Sequence, residues 1–390
     1  MKLNDFLATK PMFYKEIDYT RMPRAWASIK DKLRPFKVIH IVGTNGKGST
    51  GRFLAQILSL SGKSVGHYTS PHIFSFNERF WLNGENVSDE KLNNAHEKLQ
   101  EFLDDEFKIK TSYFEYATLL SAVLFSECDF FVCETGMGGE YDATNVFDKL
   151  FSIFTPISID HTDVLGKDLV EISKTKFKSM QSDTLALISN EMNPECIKIA
   201  LDIATKRNVR LRFGSEKISE EEREEAIEYI RSQNMPEFLA NNFLLACGAA
   251  RTAVGKLHIV GLKPLDLRAR CEKIAHNLYV DVGHNEAAAM AILQNFKNQK
   301  ITLIFNSFAD KDYKKTLEIL KPITKKVLIY DYDSINRALA KDGLKNALNE
   351  LNIEHENFKN FDILNVDEIF LVFGSFYLVE AFLRAYKIAS

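Results

Sequence analysis

VIHIVGTNGKGST, residues 38–50, is the stretch that decides the fold of this chain. An apolar run rich in β-branched residues ends at a glycine-rich turn, and helical spacing of apolar residues follows from Phe53 to Leu58, with Gly62 as the predicted C-cap. The pattern predicts a strand, a phosphate-binding loop and a helix N-terminus that attracts anions. Lys47 would neutralise β- and γ-phosphates, and Ser49 or Thr50 would reach Mg²⁺.

The loop departs from the strict P-loop pattern at two positions. Gly48 separates Lys47 from Ser49, and Ile41 stands where the strict pattern has its first glycine. The alternative interpretation is a glycine-rich turn between two core elements. The strand before the loop and the helix after it favour phosphate binding.

Composition limits the classes of protein that this chain can belong to. A chain of 390 residues suits two domains, and a formal net charge of -3 gives no general attraction to nucleic acid or to an anionic membrane. The first residues, MKLND (1–5), lack the apolar core of a signal peptide, and no apolar run approaches the length of a membrane span. Its five cysteines are scattered without a C-x-x-C pair, so we expect reduced, buried thiols and a cytoplasmic location.

Predicted strands alternate with predicted helices along the whole chain. This rhythm indicates an α/β fold with mainly parallel sheets covered by helices. The strands are predicted at residues 130–133, 151–154, 185–188, 278–281, 301–305, 327–330 and 369–373. We expect a P-loop domain over residues 1–257, a linker over 258–266 and a smaller Rossmann-like α/β domain over 267–390. The acidic stretch 215–233 is interpreted as a solvated surface helix.

Polar residues follow several of these strands, where ligands collect in parallel sheets. Glu134 is the expected Mg²⁺ ligand or water-orienting carboxylate. His161 and Ser70, taken alone, are more often a packing residue and a turn residue. Asp281 could bind ribose hydroxyls and His284 a phosphate, although a helix N-cap arrangement explains the same residues.

Seven segments occur in an order that resembles the folylpolyglutamate synthase/dihydrofolate synthase family, relatives of the Mur ligases. They are GTNGKGS (43–49), TSPH (69–72), NER (77–79), FE (114–115), GMGGEYDATN (136–145), DHTDVLG (160–166) and DVGHN (281–285). The first segment alone would admit any Mur-type ligase, whereas TSPH, NER and DATN single out the folate branch. The resemblance covers nearly the whole chain and implies a first domain like the Mur ligase central domain.

The resemblance implies an ATP-dependent ligase that joins L-glutamate to dihydropteroate or to a folate. The substrate carboxylate would attack the γ-phosphate of ATP, and the glutamate amine would then displace phosphate from the acyl phosphate. Mg²⁺ at two sites would assist, and we expect a monomer without nucleic-acid or membrane partners. The implied catalytic residues are Lys47, Glu134, His161 and Lys176.

The remaining site residues are also implied by the resemblance. The implied metal ligands are Ser49, Ser70, Glu134 and His161. The implied ATP-binding residues are Thr44, Asn45, Gly46, Lys47, Gly48, Ser49, Asn242, Arg270, Asp281 and His284. The implied substrate-binding residues are Arg79, Ser112, Phe114 and Asp142, with Asp142 bound to the amino-pyrimidinone edge of the pterin and Phe114 stacked on its ring.

The chain departs from the family pattern at several of these positions. Glu140 replaces an arginine, Arg268-Ala269 replaces Pro-Gly before Arg270, and Asn242 stands near a missing His-Gln pair. The segment 175–179, TKFKS, replaces Glu-Lys-Ala-Gly-Ile. Its Lys176 occupies the position at which many members carry a carbamylated lysine.

Two other classes of function stay open at this stage. Another Mur-type ligase would usually have a further N-terminal domain, for which the position of the loop near residue 43 leaves little room. A P-loop ATPase or GTPase switch would hydrolyse nucleotide without an amino-acid acceptor, but we find no Asn-Lys-x-Asp guanine signature. The sequence does not decide whether one or both folate activities are present.

Overall fold

Two mainly parallel sheets, one in each of two units, form the framework of the computed structural model, which describes residues 1–12, 18–334 and 337–389. The first unit comprises Met1–Met235 with Ala240–Asp266, and the second comprises Pro236–Leu239 with Leu267–Ser390. No helix in the described ranges is long and apolar enough to cross a lipid bilayer.

The sheet of the first unit has eight strands among the described residues. They are β1 (Lys37–Val42), β2 (Val65–Tyr68), β3 (Phe80–Leu82), β4 (Glu85–Asn86), β5 (Phe130–Glu134), β6 (Lys149–Phe154), β7 (Leu185–Ile188) and β8 (Arg210–Phe213). The spatial order is β4-β3-β2-β5-β1-β6-β7-β8, in which β3 pairs antiparallel with β2 and β4 and the other pairs are parallel. The carboxyl ends of β1, β5 and β6 therefore lie at one edge.

Helices cover this sheet and bury its apolar side chains. They are α1 (Leu3–Ala8), α2 (Arg21–Ile29), α3 (Lys47–Leu60), α4 (Asp89–Phe102), α5 (Asp105–Lys110), α6 (Tyr113–Phe125), α7 (Thr162–Leu165), α8 (Leu169–Phe177), α9 (Pro194–Lys206), α10 (Glu220–Ser232) and α11 (Glu237–Val254). One apolar cluster joins α1, α2, α4 and α6 to β1, β2, β3 and β5, and another joins α8 and α9 to β1, β6 and β7. The predicted acidic helix is α10.

The strand–loop–helix unit predicted from residues 38–50 is confirmed. β1 is buried from Val38 to Val42, as expected of an interior strand of a parallel sheet. α3 begins at Lys47, and Gly62 lies just beyond its end with a φ of +76°, a left-handed conformation that favours glycine. The phosphate-binding loop therefore leads directly into the N-terminus of a 14-residue helix.

The second unit carries a six-stranded sheet within its described residues. Its elements are β9 (Glu272–Ala275), β10 (Leu278–Asp281), α12 (Glu286–Asn295), β11 (Ile301–Phe305), α13 (Tyr313–Leu320), β12 (Thr324–Ile329), α14 (Lys341–Glu350), β13 (His355–Asn357), β14 (Ile369–Phe373) and α15 (Phe376–Ala389). The order is β13-β12-β11-β14-β10-β9, with β9 antiparallel to β10 and parallel pairing elsewhere.

Every predicted strand is present, but the predicted bounds of β12, residues 327–330, are wrong at both ends. β12 begins at Thr324, where two lysines interrupt the apolar pattern, and it ends at Ile329. Those lysines pair with carboxylates: Lys326 Nζ lies 3.0 Å from Glu356 Oε1 of the neighbouring β13, and Lys325 contacts Glu368. Ion pairs thus replace apolar burial at this end of the strand.

Candidate active site

The phosphate-binding loop is held in place by backbone and side-chain contacts on its outer side. The Thr44 N–H donates to Pro156 O at 3.0 Å, and the Thr44 hydroxyl donates to Ser158 O at 3.1 Å, which ties the loop to the segment after β6. Gly46 has a φ of +84°, and a Cβ atom there would lie 2.5 Å from Asn242 Oδ1. Only glycine combines this backbone conformation with so close an approach.

Lys47, Glu134 and Thr69 form a cluster at the carboxyl ends of β2 and β5. Lys47 Nζ lies 3.7 Å from Glu134 Oε1 and donates to Thr44 O at 3.3 Å. The Thr69 hydroxyl donates to Glu134 Oε2. Glu134 is 3 % exposed, and its charge is balanced by Lys47 and the N-terminus of α3.

Asn242 on α11 packs beneath the first turn of α3. Its Nδ2 donates to Ser49 Oγ at 2.9 Å, and the Ser49 hydroxyl donates to Gly46 O at 3.2 Å. Both side chains are buried. Asn242 therefore supports the first turn of α3 and the loop before it.

Lys176, in the last turn of α8, reaches the start of the loop. It is 4 % exposed, and its Nζ donates to Gly43 O at 2.8 Å. Burial, and then the nearby Lys47 ammonium, lower the pKa of Lys176 to about 7, while Asp160 and Asp142 oppose the shift. The amine is therefore largely uncharged in mildly alkaline solution.

His161 and Ser70, the other two implied metal ligands, follow β6 and β2 and are more exposed than Glu134. His161 has a left-handed backbone with a φ of +51°, is exposed, and has its Nε2 3.9 Å from Asp160 Oδ2. Ser70 is half-buried beside Thr69. No three His, Cys, Asp or Glu side chains converge on one point within the described ranges. Mg²⁺ usually takes one or two carboxylates with phosphate and water oxygens, and Glu134 with the serine hydroxyls fits that chemistry.

Asp142 is the most heavily hydrogen-bonded of the implied substrate residues. Its Oδ2 accepts the Met137 N–H at 2.9 Å, and its Oδ1 accepts the Thr144 N–H at 2.9 Å and the Thr144 hydroxyl at 2.5 Å. Burial raises the pKa of Asp142, and these donors oppose the shift by favouring the ionised form.

Phe114 and Ser112 lie at the start of α6. The Phe114 ring packs so closely on the loop after β5 that a Cβ atom on Gly136 would lie 2.5 Å from it, and it stacks on Tyr68 with centroids 5.9 Å apart. Ser112 caps the helix, because its hydroxyl accepts the Glu115 N–H at 3.2 Å while the Glu115 carboxylate accepts the Ser112 N–H at 2.7 Å.

Arg79 is held over aromatic rings by a neutral histidine. The Arg79 Nε–H donates to His72 Nδ1 at 2.9 Å, and the guanidinium lies 5.4 Å from the centroid of the Tyr113 ring. Burial, and then Arg79 itself, lower the pKa of His72 to about 4, so the imidazole stays an acceptor.

Glu140, the charge reversal relative to the family pattern, is paired with a second departure. Its carboxylate lies 3.0 Å from the Lys178 ammonium, and Lys178 belongs to the altered segment 175–179. The Glu140 N–H also donates to Thr175 O at 2.9 Å. The two changes therefore compensate each other in charge and tie the loop after β5 to the end of α8.

In the second unit, Asp281 fixes the turns around the end of β10. Its carboxylate accepts the Cys271 N–H at 2.8 Å and the Gly283 N–H at 2.7 Å, and burial raises its pKa. His284 Nδ1 lies 3.1 Å from Val282 O, and the Arg270 guanidinium lies 5.4 Å from the centroid of the Phe376 ring. Their roles toward a nucleotide stay predictions.

Sequence reasoning did not identify Thr69, Thr144 or Asp160 as parts of these clusters. Each is next to, or within two residues of, a residue that it did identify, but adjacency in sequence gives no sign of a contact. Thr69 binds Glu134, which is 65 positions away, so only the pairing of β2 with β5 brings the two together.

Comparisons with known proteins agree with this architecture. The Mur ligase middle domain family matches residues 41–250. The dihydrofolate synthase/folylpolyglutamate synthase of Bacillus subtilis (strain 168) is 29% identical over 357 residues, covering 83% of each chain. The crystal structure of Helicobacter pylori folylpolyglutamate synthetase is 38% identical, with a TM-score of 0.77 over 99% of this chain and 98% of that one.

A structure of Escherichia coli FolC in complex with DHPP and ADP shares the fold, with a TM-score of 0.83, 24% identity, and coverage of 100% of this chain and 98% of that one. The predicted fold class and family resemblance are both confirmed. The chain therefore belongs to the Mur ligase superfamily and, within it, to the folylpolyglutamate synthase/dihydrofolate synthase family of ligases.

Proposed function

We propose that this protein uses ATP and Mg²⁺ to join L-glutamate to dihydropteroate, to a tetrahydrofolate or its polyglutamates, or to both kinds of acceptor. The observation that carries the proposal is the cluster at the N-terminus of α3, where the buried Glu134 carboxylate lies 3.7 Å from the Lys47 ammonium. A positive helix end, a lysine and a carboxylate at one strand edge are what phosphoryl transfer from a Mg²⁺-bound nucleotide requires.

The phosphate-binding loop would hold the nucleotide through its backbone. The residues from Gly46 to Ser49 would offer N–H groups to the nucleotide at the start of α3, whereas the N–H groups of Thr44 and Asn45 already donate to Pro156 O. Lys47 would neutralise charge on the transferred phosphoryl group. Because Thr44, Ser49 and Asn242 already hold the loop in shape, these donors need little reorganisation when charge develops. Arg270, Asp281 and His284 of the second unit remain proposed nucleotide ligands.

Glu134, Ser49, Ser70 and His161 are the proposed Mg²⁺ ligands, at two sites. Bound Mg²⁺ would withdraw charge from the transferred phosphoryl group and from the acyl phosphate. The contribution of the chain itself is to orient Glu134 and balance its charge, through the Thr69 hydroxyl on one oxygen and Lys47 near the other.

The substrate end would be bound by Asp142, Phe114, Ser112 and Arg79. An ionised Asp142 would accept a hydrogen bond from the amino-pyrimidinone edge of a pterin, and the Phe114 ring would offer a stacking surface. Arg79 would bind an anionic part of the acceptor. Ser112 acts through the start of α6, because its hydroxyl already caps that helix.

Lys176 is proposed to act in one of two forms. As an uncharged amine it holds Gly43 O, and its lowered pKa of about 7 also meets the condition for reaction with CO₂, which yields a carbamate and releases a proton. A carbamate carbon resonance on the protein in ¹³C-bicarbonate, absent from Lys176→Met, would establish the second form.

The test is to measure phosphate release and product mass with ATP, Mg²⁺ and L-glutamate, comparing 7,8-dihydropteroate, a tetrahydrofolate and no acceptor. A glutamate-sized mass gain on both pterins would establish a bifunctional synthase, and a gain on one would assign that activity. Lys47→Met and Glu134→Gln should each lower kcat by about 100-fold or more. Phosphate release without either product would reject the proposal and favour another Mur-type ligase or an ATPase switch. Light scattering of the same sample tests the proposed monomer.

A further inference from the structure

A buried histidine interrupts the apolar sequence of β1. His40 is 0% exposed and lies in the interior strand of the sheet, paired in register with Cys133 of β5 and Ser152 of β6. Its Nε2 lies 2.8 Å from Thr144 Oγ1, and Thr144 is also 0% exposed. The Thr144 hydroxyl in turn lies 2.5 Å from Asp142 Oδ1. A chain of two hydrogen bonds therefore runs from the centre of the sheet to Asp142.

The direction of these two hydrogen bonds follows from which groups can donate and which can accept. The N–H groups of Met137 and Thr144 can only donate, and both bind the Asp142 carboxylate, which favours its ionised form. An ionised carboxylate only accepts, so the single Thr144 hydroxyl proton goes to Asp142 Oδ1. The Thr144 oxygen is then free to accept, and the donor to it is the Nε2–H of His40.

The other ring nitrogen of His40 agrees with this assignment. Burial, and then Lys149, lower the pKa of His40 well below its usual range, so the ring is neutral and carries one proton. His40 Nδ1 is buried and has no hydrogen-bond partner among the described residues. In native structures a buried N–H without a partner is rarer than a buried acceptor with an unused lone pair, which indicates that the unpaired N–H costs more free energy. The proton therefore sits on Nε2.

This arrangement restricts the acceptor capacity of Asp142. A carboxylate has about four lone-pair sites, two on each oxygen. Two donors occupy Oδ1 and one occupies Oδ2, so one site, on Oδ2, is left for a ligand. The two hydrogen bonds through Thr144 and His40 also prevent the carboxylate from rotating.

We propose that His40 and Thr144 are positioning residues that orient the Asp142 carboxylate so that its remaining Oδ2 site faces an N–H donor of the pterin ring. The inference rests on the proposed function, because it takes Asp142 as the pterin ligand. Neither residue touches the substrate; both act through Asp142. Their loss should weaken pterin binding and leave nucleotide binding unchanged.

The test uses the whole 390-residue chain and measures three quantities for each variant: kcat, the affinity for ADP, and KM for the pterin acceptor. The acceptor is 7,8-dihydropteroate, or tetrahydrofolate if that is the one the protein uses. Thr144→Val and His40→Leu remove the two donors, and Thr144→Ser and His40→Gln restore a donor at nearly the same place. Ser152→Ala is the matched control, since Ser152 is the buried register neighbour of His40 and its hydroxyl has no partner among the described residues. Asp142→Asn is the reference for loss of the carboxylate.

We expect KM to rise by roughly ten-fold in Thr144→Val, which loses a hydrogen bond to the charged carboxylate, and by roughly three-fold in His40→Leu, which loses a hydrogen bond to the neutral Thr144 hydroxyl. The conservative variants should recover most of this loss, and ADP affinity and Ser152→Ala should stay at the wild-type values. If Thr144→Val does not fold, the comparison of His40→Leu with His40→Gln carries the test.

Three results would overturn the inference in distinguishable ways. An unchanged KM in Thr144→Val and His40→Leu, with a raised KM in Asp142→Asn, would reject the positioning role alone. An unchanged KM in Asp142→Asn would reject Asp142 as the pterin ligand while the ligase activity stands. A wild-type protein that uses no pterin would reject the proposed function and the inference together.

Discussion

Replacing Lys176 by methionine should stabilise the first unit, and the gain should shrink as the pH rises. Lys176 is 4 % exposed, and burial, followed by Lys47, lowers its pKa from the ordinary value of 10.5 to about 7. Methionine keeps a similar length and removes the ionisable group. The pH dependence of its effect on the free energy of unfolding therefore reports the cost of burying this amine.

The size of the effect follows from proton linkage. Between pH 7 and pH 10.5 the unfolded chain holds a proton on Lys176 that the folded chain has mostly lost, so the stability of the wild type rises with pH in this window. With 1.36 kcal/mol for each unit of pKa, the cost of burying Lys176 is about 4 kcal/mol at pH 7 and about 2 kcal/mol at pH 9. The advantage of Lys176→Met should fall by about 2 kcal/mol between these two pH values.

A second contribution offsets the gain without changing this difference. Lys176→Met also removes the hydrogen bond to Gly43 O and leaves that buried carbonyl without its donor, at a cost of about 1–3 kcal/mol. The neutral amine can make this bond at both pH values. The net gain at pH 7 is then only about 1–3 kcal/mol, whereas its pH dependence stays at about 2 kcal/mol.

The assay is urea denaturation in CO₂-free buffer at pH 7 and pH 9, followed by tryptophan fluorescence. Trp26 and Trp81 are the two tryptophans of the chain, and both lie in the first unit. Lys174→Met is the matched control, because Lys174 lies on the same helix and is exposed. Its effect on the free energy of unfolding should be equal at the two pH values.

A Lys176→Met difference that stays constant within about 0.5 kcal/mol from pH 7 to pH 9 would refute the reasoning, given the shift of about 2 kcal/mol expected from linkage. An equal change in Lys174→Met would do so as well, since it would assign the pH dependence to something other than burial. Other titrating groups cancel in each comparison of variant and wild type, provided that the variants keep the fold.

Three further predictions concern positions outside the loop. Asp266→Ala should lower the melting temperature of the first unit, at a cost of about 1–3 kcal/mol, because the Trp81 Nε1–H donates to Asp266 Oδ2 at 2.9 Å; Asp266→Asn keeps an acceptor and should cost less. Ala269→Gly should change the free energy of unfolding of the second unit, measured by hydrogen exchange, by less than about 1 kcal/mol, because Ala269 has a φ of +55° and glycine relieves that strain. The control Ala289→Gly, in the right-handed helix α12, should cost about 2 kcal/mol. Glu140→Gln should lower the free energy of unfolding of the first unit, measured by urea denaturation, by less than about 1 kcal/mol, because it removes a single partly exposed ion pair with Lys178.

The fold was largely predictable because its signals are local. An apolar β-branched run, a glycine-rich turn and helical spacing lie within 25 residues, and the structure places β1, the loop and α3 there. The strands at 278–281, 301–305 and 369–373 have the predicted bounds for the same reason. Strands β2, β3, β4, β8, β9 and β13 were not predicted, since each has only two to four residues and carries no clear periodicity.

The contacts of the site were less predictable, because they join residues far apart in sequence. Lys176 binds Gly43 O across 133 positions, and Asn242 binds Ser49 across 193. No local pattern marks either partner, and the family pattern itself differs at the neighbours of both. The left-handed backbone of Ala269 could not be predicted either, since alanine rarely adopts this conformation.

These long-range contacts explain how the loop keeps its shape although it departs from the strict P-loop pattern. Lys176 binds the loop at Gly43, the segment after β6 binds it at Thr44, and Asn242 supports it at Gly46 and Ser49. Each contact comes from a different element, so the backbone N–H groups are oriented before a ligand arrives. Donors fixed in advance stabilise developing charge without a cost of reorganisation. His40 is a buried polar residue in an otherwise apolar strand, so it breaks the local pattern of the core. Such a break indicates a nearby site whose side chains need a fixed orientation.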